Sequence, residues 1–359
     1  MQKVQSAVLP GLVVIDSSLG DQGSDVGAAG TGMIINKSGL VLTNNHVIDD
    51  TTGLTATVVA TGHKYAAKWL GYDKTSDIAV IQIQGAVNLR TVPLGDSSTV
   101  KLGDDVVAMG NAGGSGEIRT VTGTITGIDQ SITASDEGSG APPERLTDML
   151  QTNADIIAGD SGGPLSSTDG KVIGMDTAAS TGSIPGSQTV GFAIPINRAL
   201  TIADEIIAGK GGSQVQIGST GFVGILVAGN SGGGQSTATS PQAQLQQEQQ
   251  ADQQSGGGGI PASGCVSPGS SAPGVPSSIA PVSSGTLVLG AICGEPAAQA
   301  GMTPGDVITS VAGKKVSSPA SLTGILQGVR SGTTVSITWI TPSNQTVNHT
   351  LTVAAAPPQ

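Results

Sequence analysis

From residue 1 to about 215 the apolar residues come in short runs, at 32–36, 40–43, 56–60, 78–83, 106–110 and 120–128, each broken by Gly, Asn or an Asp-Ser turn. Runs this short, bounded by turn formers and evenly spaced, predict strands and a mainly β chain, a barrel or sandwich over this stretch. The composition agrees. With 55 Gly and 19 Pro a helical bundle is excluded, and with aromatics at 2% the core must come from Val, Ile, Leu and Ala. Helix is expected mainly near the end, where Leu200, Ala203, Ile206 and Ile207 share one face between Pro195 and Gly209.

From about 229 to 284 the chain turns to Gly, Ser, Pro and Gln, with almost nothing to bury, and reads as flexible. Ser240-Pro241 offers a cap for a short Gln-rich helix inside it. Beyond it, 286–291 and 335–340 read as strands. Ser318-Pro319 opens a helix in which Leu322, Ile325, Leu326 and Val329 recur at i, i+3, i+4 and i+7. The run 221–227 reads as the first strand of this same module, which makes the Gly/Gln-rich segment an insertion. Two domains are expected, 1–212 and 213–355, the second interrupted at about 229–284.

Fifteen Lys and Arg against 26 Asp and Glu give a net charge of −11, with no basic cluster, which excludes nucleic acid and anionic membrane surfaces as partners. No stretch is apolar enough to span a bilayer, and the first residues lack the pattern of a signal peptide. The chain as written reads as soluble, with an upstream leader or anchor left open. Its two cysteines, Cys265 and Cys293, have no CxxC or Cys/His spacing, so no metal site is expected.

The sharpest local pattern is Gly159-Asp160-Ser161-Gly162-Gly163-Pro164-Leu165. A nucleophilic serine must project from a tight turn whose N–H groups meet at one spot, here those of Gly159 and Ser161 with Asp160 between them, and glycines permit that turn. A serine hydroxyl needs a base, in practice a histidine held by a carboxylate. Of three histidines, His63 and His349 sit in polar turn and strand contexts that read as solvated. His46, in Leu42-Thr43-Asn44-Asn45-His46-Val47-Ile48, ends an apolar run. Asp77 stands at the edge of the run 78–83, and the order His46, Asp77, Ser161 is that of chymotrypsin-type enzymes.

TNNHVI, SDIAVI, QTNADIIAGDSGGPL and VGFAIP, followed by PAAQAGMTPGDVITSVAGKKV, resemble the bacterial HtrA/Deg serine proteases over about 5–353, the insertion excepted. The resemblance implies a trypsin-like double six-stranded β-barrel followed by an α+β PDZ domain, here carrying a disordered insertion. It implies His46 as general base, Asp77 as its partner, Ser161 as nucleophile, and no metal or organic cofactor. It also implies an extracytoplasmic endopeptidase that takes unfolded or damaged proteins. Peptide C-termini would enter a PDZ groove made by Gly221, Phe222, Val223, Gly224, Ile225, Leu322 and Ile325. The alternative is a catalytically silent PDZ-bearing chaperone or scaffold.

Several positions depart from the family pattern. Asp160 stands where Asn is usual, without the new N-terminus that pairs with it in trypsin-like enzymes. Asp155 stands six residues before Ser161, where trypsin-like enzymes place the S1 base. Buried, it would favour Lys or Arg at P1. Displaced, it would leave an apolar pocket of Ala178, Ala179, Val190 and Phe192, the preferred reading. The family's trimers form through aromatic residues near the N-terminus, and none precedes Tyr65, so a homotrimer would lack its usual contact. Cys265 and Cys293 either bond, tying the insertion to the PDZ sheet as suits an oxidising compartment, or stay free.

Overall fold

The computed structural model describes residues 1–18, 29–49, 51, 53–134, 144–177, 190–212, 214–218, 221–227, 240–255, 265–267 and 275–355. The chain forms two compact units, divided at Gly218. The first opens with α1 (Gln2–Val8) and continues through β1 (Leu12–Ser18), β2 (Ala29–Ile34), β3 (Leu40–Thr43), β4 (Gly53–Val58), β5 (Lys64–Asp73) and β6 (Ile78–Ile83). These six strands run β5-β4-β1-β2-β3-β6, and β6 pairs back onto β5, closing a barrel. A second barrel follows from β7 (Asp105–Gly110), β8 (Arg119–Ala134), β9 (Glu144–Thr152), β10 (Pro164–Ser167), β11 (Val172–Thr177) and β12 (Gly191–Pro195), in the order β10-β11-β12-β9-β8-β7 with β7 returning to β10.

Closure leaves no free edge, and inward residues fill each barrel. Val13, Ile15, Val41, Ile81 and Ile83 belong to the first core; Val106, Ile125, Leu150 and Leu165 line the second. The helix expected after Pro195 is α2 (Ile196–Ile207). Its buried residues are Ile196, Ala199, Ala203 and Ile206, whereas Ile207 is exposed, so the apolar face starts earlier than its leucine suggested. After α2 the chain does not leave the first unit at 212: β13 (Val215–Ile217) pairs antiparallel with β5 and buries Val215, which moves the expected boundary to 218.

The second unit contains β14 (Gly221–Phe222), β15 (Ile225–Val227), α3 (Pro241–Ser255), β16 (Cys265–Val266), β17 (Thr286–Ile292), α4 (Pro296–Gln299), β18 (Val307–Val311), β19 (Lys314–Lys315), α5 (Pro319–Gln327), β20 (Thr334–Ile340), β21 (Thr346–Thr352) and β22 (Ala354–Ala355). The main sheet runs β15-β17-β18-β20-β21, leaving β15 at an edge. Ser318 caps α5 in a reciprocal capping box with Ser321, and Trp339 lies buried in the core.

Part of the segment expected to be flexible is ordered, while 228–239, 256–264 and 268–274 lie outside the described residues. Ser240 Oγ accepts from Ala243 N–H at the start of α3. The buried Gln244 amide then donates to Gly285 O at 2.8 Å and accepts from Leu287 N–H at 2.8 Å, completing the start of β17. Composition signals a lack of apolar surface, but a buried amide satisfying two backbone groups, with Leu245 packed against the cluster around Leu287, needs little of it. Ala280, from the end of the same segment, packs with Leu287, Leu289 and Val307.

Candidate functional site

β3 delivers His46 into the turn that follows it, and the turn before β6 delivers Asp77. His46 Nδ1 lies 2.9 Å from Asp77 Oδ2 and 3.0 Å from Oδ1, while the His46 backbone N–H donates to Oδ1 at 3.0 Å. The carboxylate side chain is only 4% exposed, against 26% for the imidazole, so the carboxylate is screened and the outer ring edge stays accessible. Asp77 adopts φ +53, a left-handed conformation, and Asn44 Nδ2 holds its carbonyl at 2.9 Å. A third donor comes from the end of β11: Thr177 Oγ1 donates to Asp77 Oδ2 at 2.8 Å.

Ser161 is buried in the turn between β9 and β10. Thr31 of β2 fixes that turn: its N–H donates to Ser161 O at 2.9 Å and its hydroxyl to Gly159 O at 2.8 Å. The Thr31 carbonyl accepts from Thr43 Oγ1 at 2.7 Å, three residues before His46. Gly162, at φ +81, lies so close to Thr31 O and Thr43 Oγ1 that no Cβ fits. The serine turn is thereby set against the strand end that carries His46, and through β11 against Thr177 and Asp77.

Two peptide planes in the turn have defined orientations. The Ala158 carbonyl accepts from Gly113 N–H at 2.8 Å, and the Asp160 carbonyl from Gly163 N–H at 2.9 Å. In a trans peptide the N–H points opposite to the C=O. The Gly159 and Ser161 N–H groups therefore both face away from those contacts. Gly159, at φ +94, sits where a Cβ would run into the Asn111 carbonyl oxygen. A turn with its carbonyls tied back and its amides turned outward can receive a developing oxyanion, and an imidazole held by a carboxylate can take a hydroxyl proton.

Asp160 is buried, and its Oδ2 accepts from Ile157 N–H at 3.0 Å, which is the partner the sequence left open. Burial pushes its carboxyl above the usual carboxylate range. Asp155 is half-exposed and ion-paired with Arg119 of β8, so it is not the buried, unmatched base of the trypsin-like reading. Val190 is at the surface, whereas Phe192 is buried in the barrel core; Ala178 and Ala179 lie outside the described residues. Ile156, unremarked in the sequence, covers Gly191: a Cβ there would lie 2.8 Å from Ile156 Cδ1.

Residues 30–175 match the trypsin-like peptidase domain model, and 288–341 the PDZ domain model. The chain is 37% identical over 200 residues to the periplasmic serine endoprotease DegP of Escherichia coli, covering 55% of this chain and 39% of that protein. Over 232 residues it is 31% identical to the serine protease PepD of Mycobacterium tuberculosis, covering 61% of this chain and 48% of that protein. A solved HtrA-type protease, AlgW with a tripeptide, aligns with a TM-score of 0.50 at 26% identity, covering 100% of this chain and 98% of that one. The chain belongs to the HtrA/Deg family. It spans less than half the length of these two curated relatives.

In the PDZ module of this HtrA/Deg chain, Gly221 N–H donates to Val329 O at 2.7 Å, and a Cβ on Gly224 would strike Glu295. The glycines at both ends of the loop are thus already required by contacts within the unit, not by ligand approach alone. Val223 and Leu322 are core residues, while Ile225 on β15 and Ile325 on α5 are half-buried. Leu322, in the first turn of α5, is 3% exposed. Cys265 and Cys293 are bonded, with Cα atoms 5.0 Å apart, and β16 pairs parallel with the end of β17.

Proposed function

We propose that this HtrA/Deg chain is a serine endopeptidase, with Ser161 as nucleophile, His46 as general base and Asp77 as the group that orients and steadies the imidazole. The observation that carries this reading is the joint geometry of the His46–Asp77 contact and the outward-turned amides of Gly159 and Ser161. Attack of Ser161 Oγ on a peptide carbonyl passes the hydroxyl proton to His46 Nε2 and puts negative charge on the carbonyl oxygen, to which those amides donate; collapse of this tetrahedral intermediate breaks the C–N bond, the proton goes to the departing amine, and water hydrolyses the acyl-enzyme that remains. The Asp155–Arg119 pair supports an apolar P1 site bounded by Ile156 and Val190. The relatives named as periplasmic serine endoproteases support an extracytoplasmic peptidase, for which unfolded or damaged polypeptides are the substrates we propose. The edge strand β15 supports PDZ binding of peptide C-termini by strand addition.

A fluorophosphonate distinguishes the peptidase from a silent scaffold. Stable labelling of Ser161 that disappears in His46→Ala is the expected result. Absence of labelling, with and without hydrophobic C-terminal peptides as activators, would leave the scaffold reading.

A further inference from the structure

Behind the serine turn lies a second acid that the chemistry above does not use. Asp176, on β11, is fully buried, and neither of its carboxyl oxygens has a hydrogen-bond partner among the described residues. Asp160 Oδ1 is buried in the same condition, leaving Ile157 N–H as the one donor shared by the four oxygens of the two carboxyls. Burial, and after it the charge of Asp160, hold Asp176 well above the usual carboxylate range. Asp160 also feels Arg119 and Asp155, of opposite sign. On the other face of the strand end, Thr177 leads to Asp77 and His46. No cation forms an ion pair with either Asp160 or Asp176 among the described residues.

The backbone of Asp176 is part of the serine turn. Gly162 N–H donates to Asp176 O at 2.9 Å, and Asp176 N–H donates to Gly163 O at 2.7 Å, so the residues directly after Ser161 are bonded to Asp176 in both directions. The Asp176 side chain therefore projects from a residue whose main chain is bonded to the turn on both sides. Two buried carboxylates lacking donors would carry a large desolvation cost and mutual repulsion; one proton placed between them removes a charge and supplies the missing donor.

We propose that Asp160 and Asp176 share one proton, and that this proton holds the serine turn in its working shape, making Asp176 a positioning residue for Ser161. The proposal rests on the peptidase reading for its kinetic consequence, though not for the proton itself. With the proton in place the turn is locked to β11. Its loss at high pH sets two anions against each other directly behind the oxyanion site, and the turn opens.

The test combines infrared spectroscopy with kinetics. Wild-type protein at neutral pH should show the carbonyl stretch of a buried protonated carboxyl, absent from Asp176→Asn. In a peptide-hydrolysis pH profile, wild-type kcat should fall at alkaline pH by about a hundredfold, comparable to removing one oxyanion-hole donor. Asp176→Asn, whose amide donates at every pH, should keep its neutral-pH rate across that range, and Asp160→Asn should do the same by removing the opposing charge. If the wild type lacks the protonated band, or if its alkaline decline persists unchanged in both variants, the proposal fails. Should the protein hydrolyse nothing while the band is present and vanishes in Asp176→Asn, the peptidase reading fails and the shared proton stands.

Discussion

Thr177→Val is the most direct test of how the candidate triad is held, because it removes a hydroxyl while keeping the branched shape of a residue that is 2% exposed. Three donors surround the Asp77 carboxylate: His46 Nδ1, His46 N–H and Thr177 Oγ1, the last at 2.8 Å from Oδ2. A buried hydrogen bond to a charged acceptor contributes about 1.5–3 kcal/mol. The carboxylate is almost fully buried, so little solvent is at hand to replace it. If the loss falls on the orientation and charge stabilisation of the imidazole during proton transfer, kcat drops about 10- to 150-fold, at about 1.4 kcal/mol per decade. KM should change little, since the hydroxyl that is removed is buried against Asp77. Steady-state hydrolysis of a peptide substrate and the rate of fluorophosphonate labelling should fall together, since both need His46 to take the Ser161 proton. Thr177→Ser, which keeps the hydroxyl, should stay near wild type. A folded Thr177→Val whose rates lie within about 0.4 kcal/mol of wild type, or about twofold, would refute the reasoning.

Three further outcomes are expected. Replacing Cys265 and Cys293 together with Ser opens a loop of sequence separation 28, worth about 3–4 kcal/mol in the chain-entropy account; urea unfolding of the full chain, followed by Trp339 emission in a Trp69→Phe background, should show that loss in the second unit. Arg119→Ala releases Asp155 and should raise cleavage after Arg relative to Val by about two- to fivefold, a small factor because both partners are partly exposed and screened; an unchanged ratio would remove Asp155 from the P1 site. Because Asp176 and Asp160 have raised native pKa values, the native state holds their protons more tightly than the unfolded chain. Their contribution is fully present below the unfolded carboxylate pKa and declines as pH rises toward the native values, by up to about 1.4 kcal/mol per pH unit for each such group. Chemical denaturation against pH should show that decline in wild type and a shallower one in Asp176→Asn.

The elements that could be read from the chain are those whose cause is local. Short apolar runs between turn formers specify strands, so a barrel or sandwich was expected over about the first 215 residues; two barrels and a PDZ sheet were expected only through the family resemblance. Ser318-Pro319 starts a helix by capping chemistry confined to one turn. His46, Asp77 and the heptamer around Ser161 were legible because each lies where a strand meets a turn and because their residue types leave few other chemistries. Helical spacing alone does not rank burial: Leu322 and Ile325 share it, yet Leu322 is buried in the core and Ile325 is half-buried. The Gln-rich tract read as flexible because its anchors are distant in sequence: the Gln244 amide reaches Gly285, 41 residues away, and Leu245 packs against the cluster around Leu287.

Sequence alone determined the strand-rich character of this protein, the chain order of its candidate triad and the glycines that permit its serine turn, since all follow from backbone stereochemistry and nearest-neighbour packing. Tertiary structure decided what surrounds them. Thr177 meets Asp77 across 100 residues and Thr31 meets Gly159 across 128, and neither threonine differs in its local sequence from any other strand threonine. Asp155 became an ion-paired residue rather than a pocket base only when β8 brought Arg119 to it. Asp160 and Asp176 became a pair only when β11 folded against the serine turn. A charge or hydroxyl acquires its role from the groups that replace water around it, and in a closed barrel those groups come from distant strands.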